Sequence, residues 1–544
     1  MMRNFFRENM LQLQEFTSET NLVTVNESMA LSCLYEGINN HVVIIGAGFS
    51  GLAIAIRLKK AGIDDFTILE QSHEVGGTWR DNHYPGAACD IPSPVYSYSF
   101  EPNANWSKMF SPQQEILEYL KKCADKYKLR PHIRFLSTVE SSQFNEQSGL
   151  WTVNIKDQSP LQARFFVLCS GGLSRPSYPE IQGLQDFEGA LFHSARWNHD
   201  FPLENSRVAV IGTGASSIQI VPAIADKVGQ LSVFQRTAAW ILPKAERNFG
   251  NREKKLLARI PLYRWLMRKF LYWQYEIRAL GLLKPVLMPL AQKIALKYLY
   301  REVKDRKLRE KLTPSYTMGC KRILLSNEFY KAMSRSNTQL ITKAIDRVTP
   351  HGILTNDGIE HKFDALICAT GFQVAEASAP FSIKGLQGQE LSQAWQNGAE
   401  AYLGTSVAGF PNFFIIVGPN SGLGHNSIVF IIESQAQYIL DAIKKITVRK
   451  LKYVDVKTAV QQSFNAELAR RFKNTVWTTG NCVSWYQTKS GKNTTIWPGF
   501  SFQFRQRTRA FRISDYVLHE LTDAAADSVV EEKRLSDRAS MHAV

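Results

Sequence analysis

The chain lacks paired cysteines. Its seven cysteines stand singly along 544 residues, with no CxxC pair, at positions 33, 89, 123, 169, 320, 368 and 482. The sequence therefore predicts neither a disulfide framework nor a zinc site, and we expect no metal. Because unpaired thiols persist in a reducing compartment, we also expect a cytoplasmic location.

Long apolar runs are missing as well. No uninterrupted run approaches the roughly 18 residues needed to span a membrane, and the N-terminal residues contain no signal-like apolar stretch. We expect residues 1–40 to be a soluble lead-in and residues 516–544 to be a disordered tail. The hydrophobic share of 44% and the charged share of 21% are those of a globular protein whose length allows two or three domains.

The net charge of +16 is concentrated in one segment. Residues 251–311 hold 17 Lys and Arg against 5 Asp and Glu, a local charge of +12. Apolar residues recur there at helical spacing, as at Leu256, Ile260 and Tyr263, between breaks at proline. We expect a helical cap whose solvated basic face attracts an anionic cofactor. A weak peripheral membrane contact is the second interpretation, no nucleic-acid partner is expected, and the oligomeric state is left open.

A β-branched run at 41–45 leads directly into a glycine-rich turn and a helix. The turn is GAGFSG, in which Gly46 allows the tight bend, Gly48 lets the backbone approach a pyrophosphate, and Gly51 lets helix and strand pack closely. A second strand at 66–69 ends at Glu70, which is placed to hydrogen-bond a ribose. This order of strand, turn, helix and acid predicts a dinucleotide site at the start of the helix.

The next loop, residues 76–90, combines glycines, aromatic residues and proline. Such a loop suits a planar ring, which needs close backbone approach and a stacking face. The candidate cofactor contacts are Gly77, Thr78 and Trp79. On composition alone, Trp79 and Tyr84 are better explained as core residues.

A second strand and glycine turn follow at 207–217, with a serine in place of the third glycine. Its candidate contacts are Gly212, Thr213, Gly214 and Ser216. The next strand, at 231–234, ends in QRT where the first site has an acid. Arg236, with Thr237 beside it, would pair with the ribose 2′-phosphate that an acid would repel, so the second nucleotide is predicted to be NADP. A surface arginine without a ligand is the alternative.

The segment that joins the two nucleotide sites has the most specific spacing in the chain. Residues 187–198 are FEGALFHSARWN and fit the pattern FxGxxxHxxxW. A residue in this connection can respond to both cofactors, so His193 is a functional candidate. A buried structural histidine is the alternative.

Two later strands complete the predicted fold. Residues 364–372 form a strand into a glycine turn that repeats the pattern at 167–172, which we interpret as the return to the first domain. Residues 413–417 lead into the glycine-rich loop 418–426, which contains Asn420, before a helix from about 428. The fold class is therefore α/β, with two Rossmann-like dinucleotide-binding domains and a helical insertion in the second. The predicted boundaries are 41–175 and 351–515 for the first domain and 176–350 for the second, with the insertion at 251–311.

Several of these motifs together resemble the class B flavoprotein monooxygenases, and within that class the Baeyer–Villiger monooxygenases. The resemblance covers roughly residues 41–510 and includes GCKR at 319–322, ATGF at 369–372 and NCVSWY at 481–486. Trp197 at the end of the fingerprint favours this family over its sister flavin-containing monooxygenases. The chain departs from the family at Asn198 and at 169–172, where CSGG replaces an ATG-like exit.

The resemblance implies FAD in the first domain and NADPH in the second. NADPH would reduce FAD, the reduced flavin would capture O2 as a C4a-peroxyflavin, and the peroxide would attack a small-molecule ketone to give an ester or lactone. By resemblance, Arg322 is the cation that stabilises the anionic adduct and Asp90 orients it; a surface Lys-Arg pair is the alternative. His193 is the coupling residue of this catalytic set. The further cofactor contacts implied are Asp90, Tyr96, Lys321, Arg236, Thr237, Asn420 and Trp485.

Other functions share parts of this pattern. An N- or S-oxygenating flavin monooxygenase has almost the same motifs and differs in substrate. A non-catalytic FAD- and NADP-binding redox sensor is a more remote interpretation. A disulfide reductase needs a redox cysteine pair that the sequence pattern does not contain. A role in secondary metabolism is as plausible as oxidation of a simple cyclic ketone.

Overall fold

The computed structural model describes residues 40–373 and 379–521, so the lead-in before residue 40 and the chain after residue 521 lie outside the described residues. In chain order its strands are β1 (Val42–Ile45), β2 (Phe66–Leu69), β3 (Ile133–Arg134), β4 (Val139–Asn145), β5 (Leu150–Ile155), β6 (Gln158–Ala163), β7 (Phe165–Leu168), β8 (Ala190–His193), β9 (Arg207–Ile211), β10 (Gln230–Phe234), β11 (Ile241–Leu242), β12 (Leu324–Leu325), β13 (Thr338–Ile341), β14 (Ile345–Thr349), β15 (Gly352–Thr355), β16 (Glu360–Lys362), β17 (Ala365–Cys368), β18 (Ser382–Lys384), β19 (Phe413–Ile415), β20 (Leu451–Val456) and β21 (Tyr516–Glu520). The helices are α1 (Phe49–Lys60), α2 (Thr78–Asp81), α3 (Gln113–Lys126), α4 (Ser217–Ile224), α5 (Asn251–Arg259), α6 (Pro261–Glu276), α7 (Ala279–Leu283), α8 (Met288–Glu302), α9 (Arg306–Lys311), α10 (Phe329–Met333), α11 (Leu391–Ala394), α12 (Ile428–Val448), α13 (Thr458–Phe472), α14 (Val476–Thr479) and α15 (Ser501–Arg507).

The first nucleotide domain is built on a parallel sheet with the strand order β19-β7-β1-β2-β3. Val42 of β1 pairs with Phe66 of β2 on one side and with Phe165 of β7 on the other. All four residues of β1 are buried, as expected of a central parallel strand with layers on both faces. Helices α1 and α12 belong to the large core cluster that covers one of these faces.

The second nucleotide domain has a parallel sheet with the order β13-β10-β9-β17-β8. Strand β17 lies inside this sheet, where Ala365 pairs with Val208 of β9 and with Ala190 of β8. Our prediction that residues 364–372 return to the first domain is therefore wrong. The repeated strand and glycine turn mark the equivalent place in each of two similar domains, because each sheet needs its own strand beside the one that carries the glycine turn.

The chain returns to the first domain only after β17, so the boundary predicted at residue 350 is too early. Strand β18 pairs with β4, in a sheet of order β18-β4-β5-β6 that packs its apolar face against the first parallel sheet. Strand β21 pairs antiparallel with β20, with Tyr516 opposite Val456. Residues 516–520 are therefore part of the fold, and the predicted tail boundary at 516 must be moved beyond them. Buried Tyr516 explains this, because its ring packs on Phe511 and its hydroxyl bonds Tyr438.

Residues 251–311 form the predicted helical insertion, α5 to α9. Although the insertion interrupts the second domain in sequence, α6 is docked on the first. Arg268 donates to the Ser97 carbonyl at 2.9 Å, and the Tyr272 hydroxyl lies 2.9 Å from that of Ser501. Within the described ranges, no single helix has the length and apolarity to cross a membrane. The helical runs Pro261–Leu283 and Pro285–Glu302 pass that test only as a pair, bent by 108°.

Candidate functional site

The first glycine turn has the backbone geometry that its sequence predicts. Gly46 has φ of 96°, and a Cβ placed on it would lie 2.8 Å from the Cys169 carbonyl oxygen. A Cβ on Gly51 would lie 1.9 Å from the Gly46 carbonyl oxygen, so α1 could not pack against the turn with a larger residue there. Glycine is therefore required at both positions.

Glu70, which directly follows β2, stabilises this turn through hydrogen bonds to its carboxylate. Its buried carboxylate accepts hydrogen bonds from the backbone N–H of Ala47 at 2.8 Å and of Ser72 at 3.0 Å. Arg80 completes the arrangement with an ion pair at 3.0 Å. The structure thus gives Glu70 a loop-holding role, and its contact with a ribose stays a prediction.

The loop at 76–90 lies against the same turn. A Cβ on Gly77 would lie 3.2 Å from the Gly48 Cα, so the two glycine loops are in direct contact. Thr78 begins the short helix α2, and the next residue, Trp79, is only partly buried. Its indole N–H donates to the Tyr96 hydroxyl at 3.1 Å, and burial raises the pKa of that hydroxyl. The pair forms an aromatic wall beside the glycine turns.

The second glycine turn repeats the first in detail. Gly212 has φ of 110°, and a Cβ on it would lie 2.6 Å from the Ala369 carbonyl oxygen, as Gly46 faces Cys169. A Cβ on Gly214 would meet nothing within 4 Å among the described residues, so the turn is open on that side. The Thr213 hydroxyl donates to the Thr237 carbonyl at 3.0 Å and ties the turn to the end of β10. Helix α4 begins directly after Ser216.

Two cations stand next to the second turn. Arg236 is exposed just beyond β10. Burial lowers the pKa of Lys321, and the nearby charge of Arg236 lowers it further. The Lys321 ammonium also lies 5.1 Å from the centre of the Tyr316 ring. Because like charges placed together raise each other's energy, this pair favours an anionic ligand.

Arg322 and Asp90 form a two-point ion pair between the loop at 76–90 and the segment that follows the insertion. Arg322 donates through Nε at 2.8 Å and through Nη2 at 2.7 Å to the two carboxylate oxygens. The charge of Asp90 raises the pKa of Arg322, so the guanidinium stays charged near neutral pH. Tyr486 is buried beside it, and burial raises the pKa of its hydroxyl to about 12. The two hydrogen bonds to Asp90 thus fix the position and the orientation of the positively charged guanidinium.

His193 ends β8 and is fully buried. Its Nδ1 accepts from the Ala195 N–H at 3.1 Å, and its ring lies 5.4 Å from that of Tyr178 and 5.7 Å from that of Phe372. Burial lowers its pKa to about 4. A neutral imidazole wedged between the incoming linker and the turn after β17 fits a coupling role better than proton transfer, and that role stays a prediction.

Asn420 is engaged by its own domain. Its amide donates to the carbonyls of Asn493 at 2.9 Å and Ile496 at 3.1 Å, so it braces the glycine-rich loop against residues 493–496. Trp485 is 43% exposed and its ring lies 4.4 Å from that of Tyr486. An exposed indole next to the Arg322 site is placed for a ligand contact, and both cofactor assignments stay predictions.

Gln219, on α4, was missed by sequence reasoning. Its amide N–H donates to the Ala88 carbonyl at 2.9 Å and its amide oxygen accepts from the Tyr84 hydroxyl at 3.0 Å. A Cβ on Gly86 would lie 2.6 Å from the Gln219 carbonyl, so the first domain's loop rests directly on the second domain's helix. The only local signal was a polar residue in the first turn of that helix.

Cys320 and Cys482 form a disulfide, which contradicts the prediction of unpaired cysteines. Their Cα atoms are 6.2 Å apart although 162 residues separate them in sequence. The bond ties the residue before Lys321 and Arg322 to the segment that carries Trp485 and Tyr486. No spacing rule detects such a pair, because its partners meet only through the tertiary fold. Among the described residues, the other four cysteines are free and buried.

The described residues contain no group of three or more His, Cys, Asp or Glu side chains placed to hold a metal ion. The polar groups that do converge are the Arg322–Asp90 pair, the Arg236–Lys321 pair and the two glycine turns. The site is therefore made of loops that follow the strands of two sheets, the usual location of ligands in open α/β folds.

Comparison with known proteins gives one consistent family. The family model described as flavin-binding monooxygenase-like matches residues 39–387. A Baeyer-Villiger monooxygenase of Pseudomonas aeruginosa is 46% identical over 88% of this chain and 91% of the relative, and one of Streptomyces coelicolor is 42% identical over 89% and 93%.

Solved structures agree with these relatives. The crystal structure of OTEMO in complex with FAD and NADP superimposes with a TM-score of 0.80 at 27% identity, over 89% of this chain and all of that one. Oxidized steroid monooxygenase bound to NADP also gives 0.80, at 29% identity over 88% and 99%. The chain therefore belongs to the flavin-binding monooxygenase-like family, as one of its Baeyer–Villiger monooxygenases.

Proposed function

We propose that Arg322, held by Asp90, is the charge that directs oxygen insertion next to a ketone carbonyl. The chain is an FAD-dependent monooxygenase that uses NADPH and O2 for a Baeyer–Villiger oxidation. The overall reaction converts a ketone, O2, NADPH and a proton into an ester or lactone, NADP⁺ and water. The two-point Arg322–Asp90 contact is the observation that carries the catalytic assignment.

The first domain fits FAD. Gly46, Gly48 and Gly77 leave no side chain between the two loops, so a pyrophosphate can approach both backbones at the start of α1. Trp79 and Tyr96 supply an aromatic wall for a flat ring. When bound there, FAD supplies the redox chemistry that passes electrons from NADPH to O2.

The second domain fits NADPH. The open face of Gly214 leaves room for a pyrophosphate at the start of α4. We assign Arg236, Lys321 and Thr237 to the 2′-phosphate, because an exposed cation after β10 and a neighbouring ammonium suit a dianion. We assign Trp485 to the nicotinamide side of the cofactor.

Arg322 does its work by charge placement. The carbonyl oxygen of the substrate becomes negative when oxygen adds to its carbon, and a guanidinium fixed in advance stabilises that charge without reorganising. Asp90 sets the direction of the guanidinium and leaves its remaining N–H groups for the substrate. We propose that His193 acts by coupling the turn after β17 to the linker, since a pKa of about 4 leaves its imidazole neutral, without the imidazolium proton that a general acid transfers near neutral pH.

The direct test is an aerobic incubation of the FAD-loaded protein with NADPH and a panel of ketones, amines and sulfides, with products followed by mass and NMR. We expect an ester or lactone one oxygen heavier than its ketone. If only amines or sulfides gain oxygen, the role proposed for Arg322 is wrong, although the chain remains a monooxygenase.

The substrate and the setting also belong to this proposal. We propose an apolar ketone of secondary metabolism, a cytoplasmic enzyme, and a weak peripheral membrane contact through residues 251–311. Because Cys320 and Cys482 are joined, the location no longer rests on unpaired thiols, and alkylation of the protein's thiols in cell extracts tests it.

A further inference from the structure

The helical insertion presents far more exposed apolar surface than the rest of the chain. Of the 22 large hydrophobic side chains exposed in the described residues, 12 lie within 251–311. The most exposed are Val286 at 82%, Leu290 at 70% and Phe270 at 68%. Single exposed apolar residues are ordinary, but a contiguous group marks an interaction surface.

Helix α6 shows that this exposure is not a consequence of a loosely placed helix. One face is fixed to the first domain by Arg268, Tyr272 and Glu276. The Glu276 carboxylate accepts from the Asn426 amide at 2.7 Å, from the Ser501 N–H at 2.5 Å and from the Ser501 hydroxyl at 2.7 Å. A helix anchored this firmly has a defined outer face.

That outer face is apolar at helical spacing. Leu262, Leu266 and Phe270 follow one another at intervals of four residues, and all three are exposed. Such a stripe would normally lie against a core. Since the core contacts of α6 are on its other side, these three side chains keep more than half of their surface exposed, at 61%, 52% and 68%.

Helix α8 and the turn before it repeat the arrangement. Tyr298 and Leu299 are buried on the inner face, where the Tyr298 hydroxyl donates to the Ser326 carbonyl at 2.8 Å. Val286, Leu290 and Ile294 are exposed, again at intervals of four. Two anchored helical runs, bent by 108°, thus both carry an outward apolar stripe.

Charge identifies the occupant of this surface. The segment carries 17 cations against 5 anions. Lys284, Lys293 and Lys297 are exposed beside the stripe of α8, and among the described residues no carboxylate lies within ion-pair distance of them. A second protein copy would bring the same cations against these, whereas an anionic lipid surface complements them and accepts the apolar side chains between them. Cations interleaved along both runs disfavour a spanning position.

The inner side of the same insertion reaches the site. The Leu282 side chain packs against Gly319 and Gly424. A Cβ placed on Gly319 would lie 2.5 Å from it, and a Cβ placed on Gly424 would lie 3.4 Å from it. Gly319 is three residues before Arg322. Helix α7 therefore carries exposed Leu280 and buried Leu282 two residues apart, joining the outer surface to the wall of the site.

We infer that residues 251–311 dock the enzyme on the surface of an anionic phospholipid bilayer, and that its ketone is an apolar one dissolved in that bilayer. The docking surface is formed by the stripes of α6 and α8 with the three lysines beside them. The docking deepens the membrane contact proposed above and does not depend on the reaction, while the substrate class rests on the proposed oxidation of a ketone.

The test is co-sedimentation of the full-length, FAD-loaded protein with phosphatidylcholine vesicles, with and without phosphatidylserine, at low and high salt. We expect binding only to the anionic vesicles, weakened by salt. Replacing Lys284, Lys293 and Lys297 by Gln should weaken binding about fivefold for each lysine. The triple variant Phe270→Ser, Val286→Ser, Leu290→Ser should lose binding. The matched control replaces Leu136, Ile359 and Val448, which are also exposed, by Ser and should bind as the parent does.

Equal binding by the two serine variants, or none by the parent, would overturn the docking surface. The docking surface would also be overturned if light scattering showed that the parent is a dimer and that the serine variant of the insertion is a monomer. Vesicle binding that appears only when residues 1–39 are removed would overturn it as well. For the substrate class, turnover of a ketone with an alkyl chain of about twelve carbons in anionic vesicles should fall in the insertion variant, while a short water-soluble ketone is oxidised at the parent rate. An equal effect on both ketones would overturn that part. Failure of the proposed function would instead leave vesicle binding intact with no ester from either ketone.

Discussion

Arg322 and Asp90 meet through two hydrogen bonds of 2.8 and 2.7 Å although 232 residues separate them in sequence. Asp90 ends a loop of the first nucleotide domain, and Arg322 follows the helical insertion of the second. The pair therefore exists only when the two domains and the insertion are assembled. Charge placement at the site is a property of the whole fold.

Removing this charge should separate cofactor oxidation from ester formation. We expect Arg322→Ala to lower the rate of ester formation by about 10²–10³-fold, because a preorganised donor to a developing oxyanion is lost. NADPH oxidation should continue, with O2 released as hydrogen peroxide. Arg322→Lys should also be impaired, since an ammonium cannot form the two-point contact with Asp90.

Arg207→Ala is the matched control for this measurement. Arg207 makes a similar two-point contact with Asp364, but on the exposed edge of the second domain. Product yield per NADPH, measured by mass spectrometry, should be unchanged in that variant. An Arg322→Ala enzyme with a parent-like ester yield would contradict the assignment.

The choice of NADPH over NADH should depend on Arg236 and Lys321. We expect each Ala variant to raise the KM for NADPH about tenfold and to leave the KM for NADH unchanged, because only NADPH has the 2′-phosphate that we assign to these cations. The control is Arg335→Ala. Arg335 is also exposed, but it precedes the start of β13, whereas Arg236 follows the end of β10 in the same sheet. A ratio of the two KM values that does not move in either variant would show that the phosphate binds elsewhere.

The disulfide between Cys320 and Cys482 should stabilise the protein substantially. Since it closes a loop of 162 residues, its removal by Cys482→Ser should lower the free energy of unfolding by up to about 5 kcal/mol. Denaturant unfolding of parent and variant, each with and without a dithiol reductant, measures the effect. The reductant should lower the stability of the parent only.

Peptide mapping after alkylation without reduction gives an independent check of this bond. A cross-linked peptide containing both cysteines is expected from the native protein. Recovery of both residues as alkylated thiols would contradict the disulfide. Ester formation by the reduced protein would then show whether the bond also fixes the segment around Arg322.

Stability should fall in mild acid partly because of His193. Burial lowers the pKa of His193 in the folded protein to about 4, from an ordinary value of 6.5. Between these pH values the unfolded chain binds a proton that the folded protein does not, so the free energy of unfolding decreases as pH falls through this window. The full effect of one histidine is up to about 3 kcal/mol.

His193→Asn isolates this contribution, because an asparagine oxygen can accept the same Ala195 N–H without titrating. We expect the variant to lose less stability than the parent between pH 7 and about pH 4. Asp455, whose pKa is raised to about 6 by burial, acts with the opposite sign in part of this window but is common to both proteins. Parallel pH profiles for parent and variant would show that His193 titrates normally.

Local sequence was sufficient wherever backbone geometry decides the structure. The turns at Gly46 and Gly212 were predictable because a positive φ and the close carbonyls of Cys169 and Ala369 admit only glycine. Strands β7 and β17 could be recognised as equivalent because each is followed by a glycine turn. Their equivalence alone did not reveal that each belongs to a different sheet.

Long-range packing decided the rest. Strand β17 joins the sheet whose core its buried residues complete, which is the sheet that contains β9. The periodicity of its sequence does not show which of the two sheets that is. The Cys320–Cys482 bond has no local signal, and the Gln219 contact with Ala88 has only a polar residue in the first turn of α4.

Local sequence was enough to predict the two nucleotide turns, the basic helical segment and Arg236 as a candidate phosphate contact, because each depends on neighbours within a few residues. The orientation of Arg322 by Asp90, the disulfide between the flanking segments, and the anchoring of the insertion on the first domain with its apolar stripes facing outward are visible in the tertiary structure alone. Those relationships join residues far apart in sequence, and burial of the intervening core fixes them.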